Sequence, residues 1–313
     1  MERSSTDFKA VILAGGSGER FWPLSTPEKP KQFLKVFGGE SLIRQAVTRL
    51  DGLVEMKNVF VVTAESLVAA SREELPEIPE ANFIGEPCRR DTAAAVATGV
   101  AAAGDGVVGV FAADQLVADP EKFRAAVGEA IRVASSGRHI VTLGIRPTFP
   151  ATGFGYIDPK RGTFVEKPDE FHAREYIERG YLWNAGMFIA KYSTFRDAFA
   201  THAPALLKLF ASPGEAPALY PSLPRISFDF AVMEKYDSVS VVAVDCGWDD
   251  VGSYHALAKY HPELVDDDGN LVTTLAQPIK LLGVRNLVVV ATKDGILVAD
   301  KSRLGDMKKL FRK

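Results

Sequence analysis

Through about the first two-thirds of the chain, short apolar runs rich in Val and Ile alternate with longer amphipathic stretches. That rhythm predicts buried strands joined by crossover helices in a parallel sheet. Strands are expected at residues 10–13, 59–63, 107–112 and 140–144, and helices at 41–50, 92–103 and 121–135. Asp119-Pro120 stands before the last helix as a cap and first-turn proline: the Asp carboxylate accepts from a free backbone N–H, and proline loses no helical bond there. The fold class is therefore α/β.

After Pro147 the pattern shortens to strand-like pieces at 154–157, 163–166 and 182–190, broken by a helix at 170–179, as in an insertion or a lobe over one end of the sheet. From about Asp266, strands expected at 281–284, 287–291 and 296–299 crowd together before a basic helix, so the tail reads as a small β appendage. Five prolines from Pro204 to Pro224 mark a loop region, although no stretch is long or polar enough to be a disordered linker. No internal repeat stands out.

With 313 residues, 47% hydrophobic and 25% charged, the chain has enough apolar material for one large domain, or one large and one small. A net charge of -3, with no Lys/Arg run and no aromatic-basic interleaving, gives no nucleic-acid footprint. Any nucleotide is then a small substrate. No apolar run is long enough to span a bilayer, and the opening Met1-Glu2-Arg3-Ser4-Ser5-Thr6-Asp7 is too polar to begin a secretion signal, so a cytoplasmic location without a membrane partner is expected. Cys88 and Cys246 form neither a CxxC pair nor a disulfide framework and read as free thiols. The five histidines lack zinc-ligand spacing, which argues against a zinc enzyme.

The strongest chemical signal is Ala14-Gly15-Gly16-Ser17-Gly18-Glu19-Arg20, directly after the first strand, where open α/β sheets bind ligands. Glycines there let backbone N–H groups close around phosphate oxygens. A Walker A loop is excluded because Gly-Lys is missing at the required offset, and a dinucleotide fingerprint because Phe21 replaces its third glycine. Glycine content alone fits a ligand-free tight turn as well. Arg20 and Lys29-Pro30-Lys31 add cations suited to a triphosphate, and apolar Phe21-Trp22-Pro23-Leu24 would anchor the loop that carries Arg20.

The segment from Leu13 to Ser25, continuing to Pro30-Lys31-Gln32-Phe33, closely resembles the signature loop of nucleotide-sugar pyrophosphorylases, and its ending is similar to the mannose-1-phosphate guanylyltransferase branch. Further blocks match in order: Glu86-Pro87-Cys88-Arg89-Arg90-Asp91-Thr92, Ala112-Ala113-Asp114-Gln115, Thr142-Leu143-Gly144-Ile145, Thr152-Gly153-Phe154-Gly155, Phe164-Val165-Glu166-Lys167-Pro168, Trp183-Asn184-Ala185-Gly186, Ser227-Phe228-Asp229-Phe230 through Glu234-Lys235, and Gly247-Trp248-Asp249-Asp250-Val251-Gly252. The likeness covers nearly the whole chain. It implies a Rossmann-like nucleotidyltransferase domain with a mixed, mostly parallel sheet over residues 1–262, and a small β-rich, β-helix-like appendage over 263–313.

The resemblance also implies roles. Asp114 and Asp250 match the aspartates that hold Mg²⁺; either alone is as readily a turn residue, but two carboxylates from distant positions make a hard oxygen site. Asp249 competes with Asp250 for that assignment. Lys167 matches the lysine that grips the sugar phosphate, while Gly155, Glu166 and Asn184 match positions lining the sugar. Glu86 could accept from guanine N1–H and its 2-amino group, and Leu13, Ala14, Gly15, Gly16, Gly18 and Thr92 complete the substrate-binding set. The implied reaction joins GTP and mannose 1-phosphate by in-line attack on the α-phosphorus, with Arg20, Lys31, Asp114, Lys167 and Asp250 as catalytic residues and Mg²⁺ as cofactor.

Four positions depart from the commonest family pattern: Gln115 for histidine, Ala113 beside Ala112 for a proline-alanine pair, Asp91 for asparagine and Ala185 for serine. None removes a charged catalytic group, but Asp91 and Gln115 bear on base preference. Another sugar or base, and a catalytically silent regulatory paralogue, therefore stand as alternatives. The family likeness suggests a homodimer, and a chain of this length is expected to carry a single activity without an isomerase domain.

Overall fold

The computed structural model describes residues 7–16, 18–211, 214, 216–275 and 277–311; the opening segment 1–6 and Ser17 of the glycine loop lie outside the described residues. In chain order, β1 (Phe8–Ala14), α1 (Leu42–Thr48), β2 (Val59–Ala64), α2 (Val68–Glu74), β3 (Phe83–Glu86), α3 (Thr92–Ala103) and β4 (Val107–Ala112) come first. There follow β5 (Leu116–Val117), α4 (Pro120–Ser136), β6 (Ile140–Ile145), β7 (Tyr156–Ile157), β8 (Phe164–Val165), α5 (Glu170–Glu178) and β9 (Leu182–Lys191). The rest are α6 (Tyr192–His202), the one-turn α7 (Lys208–Ala211) and α8 (Ala216–Leu219), β10 (Val239–Val244), β11 (Trp248–Asp249), α9 (Tyr254–Tyr260), β12 (Leu271–Thr274), β13 (Leu287–Thr292), β14 (Gly295–Asp300) and a 3-10 helix, Lys301–Phe311.

Two compact units share the chain. One takes the chain up to Gly15 with Ala46–Ala113 and Val117–Trp248; the other takes Gly16–Gln45, Asp114–Leu116 and the chain from Asp249 onward. The first unit holds a mixed sheet of order β10-β6-β9-β4-β1-β2-β3, to which β7 and β8 attach beside β9. β9 runs antiparallel to β4 and β6, while β1 is parallel to β2 and β4, β2 to β3, and β10 to β6. Strands covered on both faces need unbroken apolar runs, and β6 is buried at every position. Small residues let α3 come close: a Cβ on Gly99 would sit 2.3 Å from Val11 Cγ1. α4 begins as its sequence predicts, with Asp119 Oδ1 accepting from Lys122 N at 3.0 Å and Pro120 in the first turn.

In the second unit β12 pairs parallel with β13, and β13 antiparallel with β14. Its core joins Leu271, Val288 and Leu297 of these strands to Phe21, Phe37 and Tyr254. The strand expected at 281–284 is not formed. Gly283 adopts a left-handed φ of 70° there and Leu282 is 97% exposed, so the run never gains a partner; Leu271–Thr274 supplies the missing strand instead. The proline-rich stretch is also no simple loop: α7, α8 and 3-10 turns fill much of it and bury Leu206, Phe210 and Tyr220. Among the described residues, no helix is long and apolar enough to cross a membrane.

Candidate functional site

The second unit contains the glycine loop beyond Gly15. Gly18 has a φ of 67°, and a Cβ on it would lie 2.6 Å from Lys31 N and 3.1 Å from Pro30 Cα. Only glycine allows both the left-handed backbone and this close approach, which brings Lys31 onto the loop. The next turn, Glu19–Phe21, is pinned by fully buried Phe21, whose ring meets Phe37 at 6.1 Å and Tyr254 at 5.3 Å. Tyr254 also donates to the carbonyls of Phe21 (2.8 Å) and Trp22 (3.0 Å). The apolar stretch thus anchors the segment carrying Arg20.

Lys31 is 8% exposed, and its ammonium donates to Asp114 Oδ2 at 3.1 Å and to the Asp250 carbonyl at 2.6 Å. With Gly18, Glu19, Arg20, Phe21, Gly252 and Lys308, these three residues line a polar cavity of about 230 Å³. A Cβ on Gly16 would lie 3.9 Å from Asp114 Oδ2, so the loop borders the same carboxylate. Burial raises the Asp250 pKa; Lys31 opposes that rise, Asp114 adds to it, and Arg20 opposes it less strongly. Asp249 is differently employed. Its Oδ1 accepts from Val251 N at 2.8 Å, and its Oδ2 takes Lys259 (2.6 Å) and the Tyr260 hydroxyl (3.1 Å). These bonds hold Val251 at a φ of 47°, which is costly for a β-branched residue. Among the described residues no three His, Cys, Asp or Glu side chains gather as a metal cage. The available donors are the two carboxylates, a set that fits a hard cation completing its shell with water and phosphate oxygens.

The first unit carries two further groups of predicted residues. In one, a Cβ on Gly15 would lie 3.2 Å from Glu86 Oε2, at the end of β3. Burial pushes the Glu86 carboxyl up to about 7, against the Tyr220 hydroxyl and Arg89, with Asp91 adding to the rise. Tyr220 shares a 2.9 Å hydrogen bond with the Thr98 hydroxyl. Asp91 caps α3, accepting from Thr92 N at 2.8 Å, with φ 66° and ψ -178°, a region that glycine alone enters freely. Thr92 is engaged too, its hydroxyl oxygen accepting from Phe228 N at 2.8 Å. At the end of β1, the Leu13 carbonyl accepts from Ala113 N (3.0 Å) and the Ala14 carbonyl from the Thr63 hydroxyl (3.0 Å).

The second group surrounds Asn184. Its backbone N–H donates to the Gly155 carbonyl at 2.8 Å, and a Cβ on Gly155 would lie 2.7 Å from Glu166 Oε2. Lys167, at a φ of 45°, pairs with the buried Glu166 carboxylate. Asn184 Oδ1 accepts from the Thr142 hydroxyl (2.8 Å) and Gly186 N (3.1 Å), while its Nδ2 donates to Asp229 Oδ1 at 3.0 Å. Asp229, at the start of a π-helical turn, has a pKa pushed up to about 7 by burial and by Glu166, with Lys167 opposing. Phe228 and Asp229 therefore tie Thr92 to Asn184 through successive residues. Neither Asp229 nor Tyr220 is selected by sequence reasoning. The first lies in the matching block Ser227 to Lys235 with no role attached to it, and the second lies in the proline-rich stretch, where no spacing points to chemistry. Cys88 and Cys246 are free thiols.

The sequence pattern of the nucleotidyl transferase family matches residues 9–267, and that of the MannoseP isomerase/GMP-like beta-helix domain matches residues 264–313. A mannose-1-phosphate guanylyltransferase from Klebsiella pneumoniae is 35% identical, the alignment covering 96% of this chain and 72% of the relative. The alginate biosynthesis protein AlgA from Pseudomonas aeruginosa is 33% identical over 96% of this chain and 71% of its own. A crystal structure from Thermus thermophilus, described as a mannose-1-phosphate geranyltransferase, superposes with a TM-score of 0.85 at 34% identity, covering 97% of this chain and 98% of that one. The chain belongs to the nucleotidyl transferase family, within the branch of the mannose-1-phosphate guanylyltransferases.

Proposed function

We propose that the protein converts GTP and α-D-mannose 1-phosphate to GDP-mannose and pyrophosphate. The observation that carries this reading is the cavity in which the glycine loop, Arg20 and Lys31 meet the carboxylates of Asp114 and Asp250. An oxygen of the sugar phosphate attacks the α-phosphorus of GTP in line; the new P–O bond forms as the bond to the β-phosphate oxygen breaks, and pyrophosphate departs opposite. The attacking oxygen is already anionic, so no general base is required. Rate enhancement then rests on alignment and on charge placed where the leaving group develops it.

Backbone groups of Leu13, Ala14, Gly15, Gly16 and Gly18, with Thr92 at the head of α3, receive the nucleotide. Arg20 and Lys31 offset the charge of the departing pyrophosphate, and Lys167 holds the sugar phosphate. Asp114 and Asp250 are the residues that would hold Mg²⁺, which when bound supplies further charge neutralisation on the phosphates. Glu86 accepts from guanine N1–H and the 2-amino group, two donors that adenine and uracil do not present together, and these would favour its ionised form. Glu166, Gly155 and Asn184 take the hexose. Asn184 already uses both lone pairs and one N–H, so it offers the sugar one remaining N–H donor.

In this reading residues 1–262 form the catalytic domain and 263–313 the β-rich appendage, and the enzyme works as a cytoplasmic homodimer without nucleic-acid or membrane partners. The exposed apolar residues Ile296 and Val298 on β14 favour a second copy. The test is pyrophosphate release by the purified protein with Mg²⁺, each of GTP, ATP, UTP, CTP and dTTP being paired with mannose 1-phosphate and with glucose 1-phosphate. Release confined to GTP with mannose 1-phosphate is expected. Another preferred pair would reassign the substrates, and binding without release would leave a regulatory protein.

A further inference from the structure

The closing helix Lys301–Phe311 looks at first like a solvated basic tail. Its apolar side contradicts that: Leu304 and Met307 are buried in the same core as Phe21, and the Phe311 ring lies 6.0 Å from that of Trp22. β13 and β14 press on the same place: a Cβ on Gly295 would come within 2.4 Å of the Trp22 ring, and the Thr292 hydroxyl donates to the Pro23 carbonyl at 3.2 Å. The tail thus packs against the turn that displays Arg20.

The cations of the helix are not equivalent. Arg303 and Lys309 share Asp306, at 2.7 Å and 2.6 Å. Lys308 has no ion pair among the described residues, and it lines the cavity that also contains Arg20, Lys31, Asp114 and Asp250. Buried Met307, the residue before it, anchors the backbone that carries Lys308. Lys308 is solvent-exposed, and its place on the wall of the cavity that also bears Arg20 and Lys31 leaves its ammonium available to an anion entering there.

We propose that Lys308 is a third cationic ligand for the pyrophosphate portion of the nucleotide, so that the appendage contributes directly to substrate binding. This rests on the function proposed above and adds a residue to it. A phosphate-rich group would then enter a cavity bearing buried Lys31 and exposed Arg20 and Lys308, with charge-assisted bonds to the three cations.

The test uses the full-length protein in the reverse direction, GDP-mannose plus pyrophosphate, together with calorimetric binding of pyrophosphate alone. Lys308→Ala is expected to raise the pyrophosphate KM and Kd about tenfold, with the KM for GDP-mannose and the melting temperature unchanged. Lys308→Arg should restore most of the affinity, and Lys309→Ala should leave it intact. Wild-type pyrophosphate affinity in Lys308→Ala would overturn the assignment, as would an equal loss in Lys309→Ala, which would mark a general surface-charge effect. A wild-type protein without reverse reaction that still binds pyrophosphate through Lys308 would sink the proposed function and leave the assignment of Lys308 standing.

Discussion

The polar clusters of the two units are built on opposite electrostatic plans. In the second unit, Arg20, Lys31 and Lys308 line one cavity with two aspartates, one of which pairs with the Lys31 ammonium. In the first unit, Glu86 stands with Tyr220 in one group, while Glu166 and Asp229 outnumber Lys167 in the other, and burial lifts both Glu86 and Asp229 to about 7. Phosphates call for cations; hexose hydroxyls and a guanine edge call for acceptors. Both plans carry a cost before a ligand arrives, because burial raises Asp250 in the cavity as it raises Glu86 and Asp229 in the acceptor-rich groups. Strain is distributed similarly, with Asp91, Lys167 and Val251 each held at positive φ beside a residue assigned to binding.

The deepest break in this contrast should come from the phosphate cavity. Asp114→Asn or Asp250→Asn is expected to lower the rate of pyrophosphate release by about 10²–10³-fold, with a cooperative melt like that of the parent. Near-parental turnover in either folded variant would remove that aspartate from the reaction. Glu86→Gln probes the other plan. A neutral amide presents one acceptor and one opposing donor to guanine, so kcat/KM for GTP should fall about tenfold and the preference for GTP over ITP, which lacks the 2-amino group, should disappear. If that preference survives in Glu86→Gln, base selection resides elsewhere.

These contrasts were unequally visible in the sequence. The Val- and Ile-rich runs of β1, β2, β4 and β6 announce a doubly covered sheet because strands buried on both faces leave few polar positions. The meeting of the glycine loop with Arg20, Lys31, Asp114 and Asp250 was legible because the family likeness carries those residue types at fixed offsets. Tyr220 and Asp229 were not, since their importance comes from contacts across long sequence separations, to Thr98 and to Asn184. β12 was missed for another reason: the apolar run 281–284 looked like a better strand, and only the left-handed turn at Gly283 rules it out.

Asp249→Ala separates positioning from ligation within the phosphate cavity. With both oxygens of Asp249 occupied by Val251, Lys259 and Tyr260, its loss removes three bonds that hold the turn but no oxygen assigned to the metal. Stability measured by denaturant should drop by about 2 kcal/mol, while the Mg²⁺ concentration giving half-maximal activity stays near its parental value. A large rise in that concentration with stability intact would instead make Asp249 a metal ligand.

The most direct probe of the acceptor-rich plan is the pH dependence of stability in Asp229→Asn. The Asp229 pKa rises from 3.8 to about 7 on folding, so the folded chain holds more protons than the unfolded chain between those values. Parental stability must then decline as pH rises through that window and level off above it, because the unfolded carboxyl ionises first and gains hydration that the folded one forgoes. Asparagine does not titrate, yet its oxygen still accepts from Asn184 Nδ2. The variant should therefore match the parent near pH 4 and exceed it by up to about 4 kcal/mol at pH 8, read from denaturant midpoints without ligand. Curves that stay parallel from pH 4 to pH 8 would mean that the Asp229 carboxylate is already well accommodated in the ligand-free protein, and the asymmetry between the two units would then reduce to the phosphate cavity alone.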